Sequence, residues 1–144
     1  GYILHCKNCG HRKTSMEQQQ KCDLCESKNS IAGPLWIGKI FDKEFVKSMI
    51  EESSNLKIQK SCEKTIHKCL EETEMPGFYF TLDEIAKKIK TSPPKLEKVI
   101  LNLKENGFTS SVTAFNPTGF RTNANINEII RIFNLSSETH TNTV

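Results

Sequence analysis

Long hydrophobic runs are missing from this 144-residue chain. No apolar stretch approaches the ~20 residues that a membrane-crossing helix needs, and no signal peptide is visible. Membrane insertion and export drop out, and the chain reads as cytoplasmic. No glycine-rich loop follows a strand to cradle a cofactor phosphate, no paired acids sit in a plausible cleft, and no serine or cysteine nucleophile has a base in a recognisable context. These residues are therefore expected to hold no active site. Large apolar side chains are scarce at the start: residues 1–32 offer Tyr2, Ile3, Leu4, Met16, Leu24 and Ile31. That is too few to fold without a metal or a neighbour. An initiator methionine is also lacking, since Gly1 opens the chain, and a piece of a longer protein is the expectation.

What the first lobe has instead is cysteine. Cys6-Lys7-Asn8-Cys9 and Cys22-Asp23-Leu24-Cys25 are two C-x-x-C pairs separated by twelve residues. Two such turns can aim four thiolates at one point, the tetrahedral donor set that suits zinc. Four sulfurs close the shell and leave no position for a reactive water, so Cys6, Cys9, Cys22 and Cys25 are expected to hold a structural ion. Cys62 and Cys69 lie seven residues apart on one face of an expected helix, a core spacing, and the set as a whole points to a reducing compartment. Residues 1–40 read as a zinc-ribbon-like segment, pinned to the rest through Pro34, Leu35 and Trp36. His5 and His11 flank the first pair but are not needed as ligands.

Beyond residue 40 the apolar period changes to that of helices. Asp42 can cap a helix over 42–55 with Phe45, Val46, Met49 and Ile50 inward. Ser61 can cap another over 61–74 with Cys62, Ile66, Cys69 and Leu70 inward. Thr81 to Glu84 is a capping box opening a helix over 82–90. Ser92-Pro93-Pro94 opens a helix over 93–106 with Leu96, Val99, Ile100 and Leu103 inward. A hairpin follows, with Asn116-Pro117-Thr118-Gly119 as its turn, and Asn125 caps a last helix. Helix, short strand, helix, helix and hairpin is the order of a winged helix, so 41–135 reads as a winged-helix-like domain in an α+β fold, with 136–144 as a frayed tail.

Net charge is only +3, but residues 1–41 carry six Lys/Arg against three acids and residues 81–135 carry eight against five. That distribution is compatible with nucleic-acid contact at both ends. Lys95, Lys98 and Asn102 fall on the outer face or flanks of the helix over 93–106. Arg121 follows the hairpin turn, and Arg12 and Lys13 fall on the tip of the cysteine hairpin. These six are the candidate phosphate-contacting residues.

Several longer strings extend this picture. The opening 1–10, the second cysteine pair, Ile31-Ala32-Gly33-Pro34-Leu35-Trp36-Ile37-Gly38 and Phe41 to Phe45 resemble the C-terminal half of tRNA (guanine-N2)-dimethyltransferases. Phe78 to Phe80, Ser92-Pro93-Pro94, Asn106-Gly107-Phe108 and Phe115 to Ala124 continue the resemblance to about Asn134. The resemblance implies an enzyme that methylates a guanine at the junction of the D and anticodon arms of tRNA with S-adenosylmethionine. It also implies that the methyl-transfer machinery belongs to an N-terminal Rossmann-like domain outside this chain. This chain would then hold tRNA and be unable to methylate alone. The residues by themselves leave one alternative, a free-standing zinc-ribbon and winged-helix module that binds DNA or protein in transcription regulation.

Overall fold

Leu4 and Cys6 alternate with exposed-side neighbours, and that period of two builds β1 (Tyr2–Cys6). The computed structural model describes residues 1–138. In it β1 is the centre of an antiparallel sheet flanked by β2 (Arg12–Ser15) and β3 (Asn29–Ala32), with Leu4 opposite Lys13 on one side and Ile31 on the other. The buried Asn29 side chain donates to the carbonyls of Gln19 and Lys21 at 3.0 and 2.9 Å, tying the long β2–β3 link to the sheet.

Two helices come next, α1 (Lys43–Ser53) and α2 (Lys60–Glu71), packed on each other. Then follow β4 (Phe80–Thr81), α3 (Leu82–Ile89), α4 (Leu96–Glu105), β5 (Ser110–Thr113), β6 (Asn116–Thr122) and α5 (Ile126–Glu138). The second sheet runs β4-β6-β5, all antiparallel. The described residues thus form a mixed α+β fold with two small sheets and five helices. None of those helices is long and apolar enough to cross a membrane.

The core lies between the second sheet and α3, α4 and α5. Phe80 faces Phe120 across the β4–β6 pair with ring centroids 6.0 Å apart, and Phe120 meets Phe133 of α5 at 6.5 Å. Ile85, Val99, Leu103, Ile126, Ile129 and Ile132 close around them. Each such side chain contributes roughly 1.5–3 kcal/mol on full burial. Helix starts are well specified. The Asp42 carboxylate accepts from Phe45 N at 2.8 Å, and the Asn125 amide oxygen accepts from Asn127 N and Glu128 N at 2.9 and 3.2 Å. The Glu128 carboxylate returns the bond to Asn125 N at 2.7 Å, completing a capping box.

Several expectations are corrected. The hairpin turns at Ala114 and Phe115, and Asn116-Pro117-Thr118-Gly119 runs as strand. Gly119 serves close approach instead: a Cβ there would stand 2.6 Å from Thr113 Cγ2. The helix expected over 93–106 starts later, at Leu96, because a residue that precedes proline is disfavoured in helical geometry, and Ser92 and Pro93 both do. In α1 only Val46 is buried, with Phe45 and Met49 exposed, and Cys62 of α2 is exposed as well. Trp36 is 77 % exposed, and its indole N–H bonds locally to Lys39 O at 3.0 Å. Ser136, assigned to the tail, is a buried residue of α5; residues 139–144 of that tail lie outside the described residues.

Candidate metal centre and lobe seam

The two cysteine pairs fold into matching knuckles. Cys6 N donates to His11 O and Cys22 N to Ser27 O, at 2.9 and 2.8 Å. Gly10 N donates to Cys6 O and Glu26 N to Cys22 O, at 2.7 and 2.9 Å. The residue after each second cysteine takes the left-handed conformation, Gly10 at φ 85° and Glu26 at φ 57°. Glycine meets that demand without a Cβ penalty, whereas glutamate carries about 1 kcal/mol of strain. Gly10→Ala is therefore expected to cost about 1 kcal/mol, and Glu26→Gly to stay within about 0.5 kcal/mol of the parent. Thermal melts of the two variants check the asymmetry.

The knuckles place the four sulfurs within 4.8 Å of one another, with Cys6 to Cys25 at 3.5 Å and Cys9 to Cys22 at 3.6 Å. A tetrahedral ion with sulfur at about 2.3 Å has sulfur–sulfur edges of about 3.8 Å. The donor set therefore fits such an ion. Cys6 and Cys22 are buried, and Cys9 and Cys25 are partly exposed. Leu24 N donates to the Cys22 sulfur at 3.4 Å and the Asn8 side-chain amide to that of Cys25 at 3.7 Å, contacts that favour thiolate. Hydrogen bonds from the Ser27 hydroxyl and amide bring Cys25 down to about 6, while burial pushes Cys9 up to about 12.

The knuckles are joined to the helical lobe by a polar and an apolar seam. The Arg12 guanidinium makes a forked bond to Glu84, 2.6 and 3.2 Å, and donates to Tyr79 O at 2.7 Å while lying 4.9 Å from the Phe80 ring centroid. Glu84 therefore does not return the capping-box bond expected of it; Thr81 Oγ1 alone caps α3, accepting from Glu84 N at 3.3 Å. Lys88 Nζ donates to Asn8 O, and Cys9 packs against the core that contains Phe80 and Phe133. Burial, then Arg12, holds His5 below the ordinary imidazole range, and burial does the same for His11.

The six phosphate candidates do not form one face. Arg12 is spent on Glu84 and Tyr79, and Lys13 pairs with Asp23. Lys98 Nζ and the Asn102 side-chain amide, expected outward, donate to Ser136 O and Oγ at 2.6 and 2.7 Å and so fasten α4 to α5. Arg121, expected exposed beside the hairpin turn, is buried with 2 % of its surface accessible and is paired with Glu72. Lys95 alone of the six is exposed. The sequence reading passed over Lys7, Lys87 and Lys88, which line a cleft of about 340 Å³ at the seam together with His5 and the Arg12–Glu84 pair. The adjacent pair Lys87-Lys88 on the polar side of α3 was the one available signal.

Comparison with known proteins fits this architecture. Residues 1–134 match the family model described as N2,N2-dimethylguanosine tRNA methyltransferase. A tRNA (guanine(26)-N(2))-dimethyltransferase of Methanosphaera stadtmanae is 36% identical over 135 residues, covering 90% of this chain and 35% of the relative. The Methanobrevibacter smithii enzyme of the same description is 36% identical over 146 residues, covering 97% of this chain and 38% of the relative. The structure of Trm1 from Pyrococcus horikoshii in complex with S-adenosyl-L-methionine superposes with a TM-score of 0.72 at 25% identity, covering 92% of this chain and 34% of that one. The chain thus spans about a third of the length of the relatives it matches. The chain belongs to the N2,N2-dimethylguanosine tRNA methyltransferase family.

Proposed function

We propose that this chain is the tRNA-holding, C-terminal part of a tRNA (guanine-N2)-dimethyltransferase that acts at the junction of the D and anticodon arms. One observation carries the reading: the family match spans residues 1–134, yet the chain covers only about a third of its relatives. Methyl transfer from S-adenosyl-L-methionine would belong to the N-terminal catalytic domain of the whole enzyme. Zinc fits Cys6, Cys9, Cys22 and Cys25, where it would supply cross-linking and no chemistry, since four sulfurs complete the shell. In finer terms the fold is a zinc ribbon over 1–40 joined to a winged-helix-like domain over 41–135. The order of α2, β4, α3, α4 and the β5–β6 hairpin supports that description.

Exposed Trp36, Phe45 and Phe115, with Phe41 stacked on Phe115 at 6.2 Å, give the catalytic domain an apolar surface to rest on. Lys95 remains as a direct phosphate contact, and Lys13 would join it by exchanging Asp23 for a phosphate. Arg12, Lys98, Asn102 and Arg121 act at one remove, by fixing the elements that carry the binding surface. The family match favours this reading over the transcription-module alternative. The test is a filter-binding titration of the chain with unmodified tRNA at increasing salt. Binding that weakens linearly on a log–log plot is expected, because counterion release dominates phosphate recognition. Failure to bind at low salt removes the reading. Calorimetry of the chain with S-adenosyl-L-methionine is expected to give no heat of binding.

A further inference from the structure

We propose that the seam cleft between the first cysteine knuckle and α3 is the seat for the RNA phosphodiester backbone, with Lys7 and Lys87 as its contacts. This rests on the tRNA-holding reading above. The cleft is walled on one side by His5, Lys7 and Gly10 and on the other by α3, with Ile85 and Ile126 apolar beneath. Its single carboxylate, Glu84, is engaged by both terminal nitrogens of Arg12, so that pair is neutral. Three ammonium groups are left over. Lys88 is steadied by the Asn8 carbonyl, which orients its charge without cancelling it. Among the described residues Lys7 and Lys87 have no ion-pair partner.

Two of these lysines sit in the last turn of α3, where they also complement the helix dipole. That reason does not extend to Lys7, which comes from the other lobe and converges on the same opening. The arrangement suits a chain of phosphates better than one free anion. A compact anion site gathers backbone amides at a helix start. The helix starts near this cleft are those of α3 and α5; Thr81 already occupies the Glu84 amide, and the Asn125 side chain those of Asn127 and Glu128. Lysines spread around an apolar floor instead follow a backbone without reading bases. Because one wall is a cysteine knuckle, the seat exists only while the metal lobe is docked.

The test compares the 144-residue chain with Lys7→Ala/Lys87→Ala and with Lys7→Arg/Lys87→Arg, using unmodified tRNA across a salt series. Equal metal content and melting temperature of the three serve as the folding control. The alanine pair is expected to bind about tenfold or more weakly, with a salt slope shallower by about 1.5, the share of two phosphate contacts. The arginine pair is expected to restore both. Inorganic phosphate should displace tRNA no better than chloride at equal ionic strength. Unchanged affinity and slope in the alanine pair, with the parent still binding, overturns the seat and leaves the tRNA-holding reading standing. Competition by millimolar phosphate beyond its ionic strength would also overturn it, by assigning the cleft to a free anion. A parent chain that ignores tRNA removes the broader reading and the seat with it.

Discussion

Cys9→Ser, or stripping the metal with a chelator, is expected to unfold residues 1–36 while leaving the second sheet and its helices folded. Up to Trp36 the buried residues are Leu4, Cys6, Cys22 and Asn29. One leucine, worth roughly 2–3 kcal/mol when buried, cannot order a lobe of this length. Structural zinc in small cysteine sites supplies about 10–16 kcal/mol of apparent binding energy, and in such sites that is folding energy. Cys9 carries the largest local consequence because it is also the cysteine that packs on the Phe80 and Phe133 core. Its loss removes a ligand and lifts the knuckle off the seam, so Arg12 leaves Glu84. Amide hydrogen exchange checks this residue by residue: β1 to β3 should lose protection, while Ile85, Leu103 and Phe133 keep theirs. Elemental analysis of the parent should find about one zinc per chain, set by the four-sulfur donor set. A metal-free parent with β1 to β3 still protected would sink the claim.

The cysteine centre was legible because its geometry is local. Each knuckle closes through bonds between residues four or five apart, from Cys6 to Gly10 and His11 and from Cys22 to Glu26 and Ser27. Nothing distant is needed to aim the sulfurs. The starts of α3 at Thr81 and of α5 at Asn125 were legible for the same reason, since each cap bonds to residues two or three positions on. The helix α4 was not. Its stripe of Val99 and Leu103 faces the core, but α5 covers a second side, and Lys98 and Asn102 turn out to face Ser136. A period of 3.6 identifies one buried face and cannot say that a helix has two neighbours. The helix α1 fails in the opposite sense: Phe45 and Met49 have the right spacing to be buried, but α2 and Val46 take up only part of that face.

The hairpin misled through composition. Asn116, Pro117 and Gly119 are turn residues by type, yet the Asn116 side chain only makes a local bond to Thr118 N at 2.9 Å inside β6. A register shift between Val112 and Thr113 moves the reversal to Ala114 and Phe115. The seam cleft was hidden for a third reason. Lys7 and Lys87 are 80 residues apart, and their lobes meet through contacts equally distant in sequence: the Arg12–Glu84 fork, the Lys88–Asn8 contact and Cys9 on the core.

Arg121 was the costliest of these misreadings, and it carries the second large prediction. A lone arginine on a strand after a polar turn looks solvated. Its partner, Glu72, lies 49 positions earlier at the end of α2. The pair is closed off from solvent, with side-chain exposures of 2% and 0%. Both side chains are held by several hydrogen bonds. Arg121 Nε donates to Glu72, Nη1 donates to Pro76 O, Thr113 Oγ1 and Ala114 N donate to the same carboxylate at 2.7 and 2.6 Å, and the guanidinium lies 5.4 Å from the Phe115 ring centroid. These contacts clamp the true hairpin turn onto the end of α2. Removing one partner leaves the other charge buried and alone, which typically costs 3–5 kcal/mol. Arg121→Ala is thus expected to lower the melting temperature by about 10 °C or more. Glu72→Gln should do slightly less damage, because the glutamine oxygen can still accept from Ala114 N. The double variant Glu72→Gln/Arg121→Met should be less destabilised than the sum of the singles, since no unpaired charge remains and the methionine fills the space among Tyr79 and Phe115. Any loss of tRNA binding by Arg121→Ala at a temperature where it is largely unfolded therefore reports the clamp, and only the loss measured well below its melting point bears on RNA contact. A melting temperature unchanged by Arg121→Ala would mean that the guanidinium reaches solvent, and would return the residue to the binding surface.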